Sequence, residues 1–152
     1  MSRRLLTALA LAGSAGLMLG ALWFQYFRDL PPCQLCYWQR YGHVGALIFG
    51  TLALALPWRV FLGLGALSAA SSSAVAIFHT GVERKWWSGL KSCSAPSLDG
   101  LSPEQAVSAI MNAPLIPCDE IPWSLLGLSM ANYNVIASAM IAGLFVMAIR
   151  TR

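Results

Sequence analysis

The chain has 152 residues, enough for one domain over 1–152; 57% of them are hydrophobic and only 11% are charged. A soluble domain carries about 25% charged residues, so the composition excludes an ordinary water-facing surface and points to one that faces lipid. The net charge of +4 comes from scattered Lys and Arg rather than a basic stripe, which leaves no nucleic-acid footprint.

Four segments approach the roughly 20 apolar residues that a membrane-spanning helix needs. Residues 5–27 form an uncharged first span. Ser2-Arg3-Arg4 ahead of it has the look of a twin-arginine export signal, but the apolar run exceeds the roughly 7–15 residues of a signal core, so a span is expected. Residues 38–56 and 60–79 are the second and third spans, joined by a tight turn at Pro57-Trp58-Arg59, where Pro ends a helix and Arg resists burial. Residues 123–149 are the fourth. Loops are expected at 28–37 and 80–122. Gly16 and Gly20 form a GxxxG pattern and Ser71-Ser72-Ser73 falls in the third span; both suit close helix packing.

An even number of spans puts both termini on one side. Arg3, Arg4, Arg59, Arg150 and Arg152 then oppose Arg28, Arg40, Arg84, Lys85 and Lys91, a tie that charge counting does not break. The first helix decides, because its start holds two arginines and the amino terminus. The termini are therefore expected in the cytoplasm. The cysteines, and the acids Asp29, Glu83, Asp99, Glu104, Asp119 and Glu120, are expected outside.

The long loop holds Pro96, Pro103, Pro114, Pro117 and Pro122. Within it Ser102-Pro103-Glu104-Gln105 predicts a helix start, with a Ser cap, Pro at the first position and Gln three residues after the cap. Val107, Ile110 and Met111 continue as an apolar stripe at helical spacing. This short amphipathic helix either lies on the membrane surface or packs onto the protein's own helices.

The chemistry rests on Cys33, Cys36, Cys93 and Cys118. Cys33-Gln34-Leu35-Cys36 closes a small ring that converts readily between dithiol and disulfide. Cys36 falls at the start of the second helix, where the positive dipole end favours a thiolate. Arg40, one turn deeper on the same face, adds positive charge and donors for an acceptor oxygen. A CxxC is also half of a zinc site, but Cys93 and Cys118 have no histidine at ligand spacing, so no metal is expected. As a mere staple it would restrain almost no loop. A Cys93–Cys118 bridge in the long loop would be exposed to a soluble thiol protein, an entry point for electrons, or else a structural staple. Electrons reaching a membrane CxxC must leave, and no haem, flavin or iron–sulfur motif is present, so a lipid-soluble quinone is the expected acceptor. His43 lies on the Cys36 face of the second span and His79 closes the third; each is a candidate for the quinone, weighed against a satisfied structural histidine. Trp86, Trp87 and Trp123 suit an interfacial aromatic belt.

Taken together, these residues resemble the DsbB family of bacterial inner membranes. The resemblance covers nearly the whole chain: Ala21-Leu22-Trp23-Phe24-Gln25, Pro32-Cys33-Gln34-Leu35-Cys36 with Arg40, the pair Cys93 and Cys118, and Trp123 with Leu126-Gly127-Leu128-Ser129-Met130. It implies an all-α membrane protein, a four-transmembrane-helix bundle with a long periplasmic loop, that reoxidises a DsbA-like periplasmic thiol oxidase. A partner thiolate would attack Cys93 of a Cys93–Cys118 disulfide. Cys118 would attack Cys33 of Cys33–Cys36, and Cys36 would leave as a thiolate and form an adduct with the quinone, ubiquinone or menaquinone. Arg40, His79 and Met130 match family positions at the quinone. Two rearrangements stay open for the resting chain, Cys33–Cys36 with Cys93–Cys118 or a Cys33–Cys118 bridge. Competing readings are a structural or adaptor membrane protein with stapled loops, and a small transporter; the latter is disfavoured because Asn132 and Asn134 are the only notable polar groups of the last span and no span has a mid-depth charge.

Overall fold

A computed structural model describes residues 1–56, 58–90, 92–94, 98–112 and 116–151. Pro57 of the expected turn, Lys91, Pro96, Pro114 and Arg152 lie outside the described residues. The elements are α1 (Arg3–Phe27), α2 (Gln34–Ala55), α3 (Val60–Glu83), α4 (Pro103–Met111), a hairpin of β1 (Ser124–Leu125) and β2 (Leu128–Ser129), and α5 (Met130–Arg150).

The four long helices form a ring in which α1 touches α2 and α5, and α3 packs most extensively on both α2 and α5. The chain is an all-α membrane protein. Among the described residues, α1, α3 and α5 are long and apolar enough to cross a bilayer. Helix α2 has 22 residues, about 33 Å at 1.5 Å per residue, and matches them in length. Gln39 and His43 dilute its hydropathy, yet both are buried inside the bundle. Its polar side chains face protein rather than lipid, the arrangement a membrane interior tolerates.

The ends of the bundle differ. At one end Arg59 Nη2 donates to Thr151 O at 3.3 Å, and Arg3 and Arg4 line a crevice with Ala53, Leu54, Ala55 and Leu56. That end therefore gathers both termini and the α2–α3 connection. Leu6, Ala10, Ala46, Leu62, Phe145 and Ala148 make a packed core. At the other end Leu35 and Val82 pack with Cys33, Cys93 and Cys118.

Four expectations change. Helix α2 begins at Gln34, inside the expected 28–37 loop, because Cys33 caps it there. Helix α3 runs on past His79 to Glu83. The apolar segment that starts at Trp123 becomes helical only at Met130, because Leu126 (φ 51°) and Gly127 (φ 76°) take left-handed backbone and turn the chain into a hairpin pairing Ser124 with Ser129. Ser129 then caps α5 in a capping box with Asn132. A Cβ added at Gly16 or Gly20 would meet nothing within 4 Å, so neither glycine marks a close helix approach. The tight approach lies instead at Gly42, where an added Cβ would stand 2.8 Å from Ser68 O and 2.7 Å from Ser72 Cβ. The serine run does pack: Ser72 and Ser73 are buried and bond Gln39 O and Val135 O across to α2 and α5.

Helix α4 begins as its sequence dictates, with Ser102 and Gln105 in a capping box and Pro103 in the first turn. Its stripe does not pack onto the bundle: Val107 and Ile110 are exposed and Met111 is 80% exposed.

Candidate functional site

Cys33 caps α2. Its sulfur accepts the Cys36 backbone N–H at 3.3 Å, so the positive end of the helix dipole is spent on Cys33 before it reaches Cys36. The two sulfurs are 2.9 Å apart, both cysteines are free thiols, and they share a hydrogen bond. His79 Nε2 lies 3.7 Å from the Cys33 sulfur and 3.2 Å from Cys118 O. The Cys33 thiol is thereby lowered from 9.0 to about 4: the hydrogen bond from Cys36 is the largest cause, burial opposes it, and the His79 bond and the Cys36 N–H assist. The residue that the helix start favours as thiolate in the dithiol form is thus Cys33, not Cys36 as the sequence suggested.

Cys93 and Cys118 form a disulfide with their Cα atoms 5.3 Å apart, and Cys118 N donates to Cys93 O. The sequence placed this bridge in the open; instead Cys93 and Cys118 are both buried. Two flanking contacts press it down. Ser92 Oγ donates to Gln34 Oε1 at 2.8 Å, and Lys85 Nζ donates to Asp119 Oδ2 at 2.7 Å. The sulfurs of Cys33, Cys93 and Cys118 consequently lie within 4.8 Å of one another. Cys33, Cys36 and His79 are equally close. Chain spacing offered no histidine to the cysteines; folding supplies one. That donor set is one zinc accepts, although the Cys33–Cys36 disulfide would offer it no thiolate.

Arg40 lies one turn beyond Cys36. Its Nη1 donates to Gln25 Oε1 at 2.6 Å and its Nη2 to Ala21 O at 3.3 Å. Its guanidinium sits 5.5 Å from the Tyr37 ring. The Ala21–Gln25 stretch of α1 thus meets Arg40. Nearby, Phe24 packs against Trp123 at 5.2 Å between ring centres.

The DsbB family model, "Disulfide bond formation protein DsbB", matches residues 3–148. The chain belongs to the DsbB family. Among curated relatives named Disulfide bond formation protein B, that of Haemophilus influenzae is 32% identical over 126 residues, 76% of this chain and 68% of the relative. That of Psychromonas ingrahamii is 29% identical over 144 residues, covering 91% and 78%. That of Stutzerimonas stutzeri is 30% identical over 146 residues, covering 89% and 87%. No solved structure matches the chain significantly.

In this DsbB-family chain the candidate residues do not all converge. His79 sits on the cysteine cluster, between Cys33 and Cys118. Arg40 faces α1. Met130, the first residue of α5, is half-buried and is not part of the apolar cluster around the cysteines. Sequence reasoning missed Glu83 and Gln39. Glu83 is buried, lies 3.8 Å from His79 Nε2 and accepts from Ser129 Oγ. Gln39 Nε2 contacts His79 Nδ1 at 3.0 Å. A polar residue on the inner face of an otherwise apolar span was the available signal for Gln39. Glu83 gave none, since it fell in an expected loop.

Proposed function

We propose that this protein is a quinone-linked thiol oxidase of the bacterial inner membrane, which reoxidises a DsbA-like periplasmic dithiol protein. One observation carries the reading: the Cys33, Cys93 and Cys118 sulfurs lie within 4.8 Å of one another, with Cys36 against Cys33. Two disulfides at that range can exchange without a large excursion of α2.

In the oxidising cycle a partner thiolate attacks the Cys93 sulfur and displaces Cys118. The Cys118 thiolate attacks Cys33 of a Cys33–Cys36 disulfide, and the electron pair of the broken bond leaves on Cys36. Exchange of this kind runs faster as the leaving thiol becomes more acidic. In the dithiol form the Cys33 hydrogen bond and burial disfavour a Cys36 thiolate, and Arg40 is the nearby cation that opposes them. His79 Nε2 stands 3.7 Å from the Cys33 sulfur. Because the Cys93–Cys118 bridge is buried, the partner gains access only when the segment held by Ser92–Gln34 and Lys85–Asp119 lifts.

The residues present fit a quinone. Gln25 and Ala21 take two of the five guanidinium N–H groups of Arg40, leaving donors for a ring carbonyl one turn from Cys36. A bound quinone supplies a two-electron, two-proton acceptor. His79 and Met130, matched by resemblance alone, are the further residues of this chain proposed for the quinone. The two arginines and the amino terminus at the start of α1 support a cytoplasmic location for that end and a periplasmic one for the cysteines.

Turnover in detergent tests the reading, with purified protein, a reduced periplasmic dithiol protein and ubiquinone or menaquinone, followed by quinone absorbance. Quinone loss matched by disulfide gain in the partner, and abolished by Cys36→Ser, supports it. A folded protein inactive with both quinones would instead be a membrane protein whose disulfides staple its loops.

A further inference from the structure

A hydrogen-bond chain runs from the cysteine cluster into the interior of the bundle, and its direction can be worked out from backbone carbonyls alone. Gln39 Nε2 lies 3.2 Å from Leu35 O. A carbonyl only accepts, so the NH2 group of Gln39 must face it. That same NH2 then donates to His79 Nδ1 at 3.0 Å, and Gln39 Oε1 is left to accept from Asn134 Nδ2 at 2.7 Å. Asn134 Nδ2 also donates to Ser72 Oγ at 3.1 Å. Asn134 Oδ1 accepts from Ser138 Oγ at 2.9 Å and from His43 Nε2 at 2.9 Å. His43 Nδ1 closes the chain 3.4 Å from Ser14 Oγ.

The other end gives the same answer independently. His79 Nε2 faces Cys118 O, a second carbonyl, at 3.2 Å. The proton of the neutral ring must therefore be on Nε2, which matches an accepting Nδ1. Two fixed acceptors, one on α2 and one in the loop, select a single tautomer through one glutamine.

We infer that Gln39, braced by Asn134, is a positioning residue that holds His79 in its Nε2–H tautomer and so aims one N–H at the Cys118 carbonyl and the Cys33 sulfur. The inference rests on the disulfide-exchange reading above and adds what orients the histidine. Its consequence is chemical. In the return half of the exchange, once the partner's second thiol has released Cys93, the Cys93 thiolate attacks Cys118 of the Cys33–Cys118 bridge and re-forms Cys93–Cys118, and the electron pair of the broken bond leaves on Cys33. An N–H already pointed at its sulfur stabilises that thiolate without reorganisation. The opposite tautomer would present a lone pair to both the sulfur and the carbonyl. Burial raises the stakes, because an amide or imidazole with a mismatched partner inside a membrane protein has no water to turn to.

The titratable groups that face Cys33 and His79 are Cys36 from α2 and Glu83 from α3, with Arg40 acting on Cys36 alone. Cys93 and Cys118, from the loop, are tied in a disulfide. Helices α5 and α1 reach the chain through Asn134 and Ser14, neither of which titrates.

The experiment reads the ring directly. Nitrogen NMR of imidazole-labelled full-length protein in detergent distinguishes the two neutral tautomers, and ultraviolet thiolate absorbance of a Cys36→Ser variant follows the titration of Cys33. The expected wild-type signal is His79 protonated on Nε2. Gln39→Met should mix the tautomers and move the Cys33 midpoint upward by about one pH unit, the weight of a hydrogen bond to a charged sulfur. Asn134→Leu should do the same more weakly, since Leu35 O still anchors Gln39. A wild-type ring protonated on Nδ1, or a Gln39→Met protein whose tautomer and Cys33 titration both match those of the parent, overturns the inference. If Gln39→Met does not fold, the wild-type spectrum and Asn134→Leu still decide. Neither readout uses quinone or partner, so failure of the oxidase reading would leave them standing and failure here would leave turnover standing.

Discussion

Toward the termini the bundle is held by small and aliphatic residues, with Ala10, Ala46, Ala69 and Ala148 letting helices approach around Leu6, Leu62 and Phe145. At the cysteine end the same helices are joined by a network of amides, hydroxyls and imidazoles and covered by a loop pinned through polar contacts. Lipid tails are as apolar as leucine, so the first region gains only from packing. The second gains from the lack of any alternative partner for its polar groups. Packing is tolerant in chemistry and strict in shape, whereas the network is strict in both. The chemistry sits where geometry is most tightly specified.

The sharpest way to separate the regions is Cys118→Ser, which severs the link between the two cysteine pairs. Turnover should fall to background, and the reduced partner should form no mixed disulfide on non-reducing gels, because Cys93 without Cys118 has no disulfide for a partner thiolate to attack; sustained turnover would break the proposed order of exchange. Next in size is Phe145→Ala at the opposite end. It should cost about 3 kcal/mol of stability by cavity formation, measured by denaturation in mixed micelles, with turnover per folded molecule unchanged. A loss of turnover without a loss of stability would show that the two ends are coupled.

The acidity of Cys33 gives a third test. With its folded value lowered from 9.0 to about 4, the dithiol protein should show a flat thiolate absorbance through neutral pH that disappears below about 4. By linkage, the stability this adds to the reduced protein is full above pH 9.0, shrinks as the pH falls, and is gone below about 4. A midpoint in the ordinary thiol range would remove Cys36 and His79 as its causes. The smallest effect is expected from Lys85→Ala. The lysine is largely exposed, and such pairs are worth about 0.2–1 kcal/mol, so the Cys93–Cys118 bridge should be reduced by a soluble dithiol only a few-fold faster. No change would leave Ser92–Gln34 as the contact that governs opening.

Much was legible in the chain before folding. Apolar runs of bilayer length gave the helices, Ser102-Pro103-Glu104-Gln105 gave the start of α4, and the CxxC with Arg40 marked the second helix start, because each is a local pattern with a local physical cause. The fourth helix start was not legible from hydropathy. Leu125, Leu126 and Leu128 are as apolar in a hairpin as in a helix, and only the left-handed backbone at Leu126 and Gly127 ends the ambiguity. Likewise Gly16 and Gly20 present the right spacing for packing but face outward, since which side of α1 turns inward depends on its neighbours.

By itself the sequence determined an all-α membrane architecture, a family and four cysteines in two pairs. Only the tertiary structure decided that Cys33 rather than Cys36 receives the helix-start N–H, that the Cys93–Cys118 bridge is buried, and that His79 joins them with Glu83 and Gln39 behind it. The reason is distance along the chain. Helices and caps are set by neighbours within a few residues, whereas His79, Cys33 and Cys118 stand 46 and 39 positions apart and meet only because three elements close on one another at one end of the bundle.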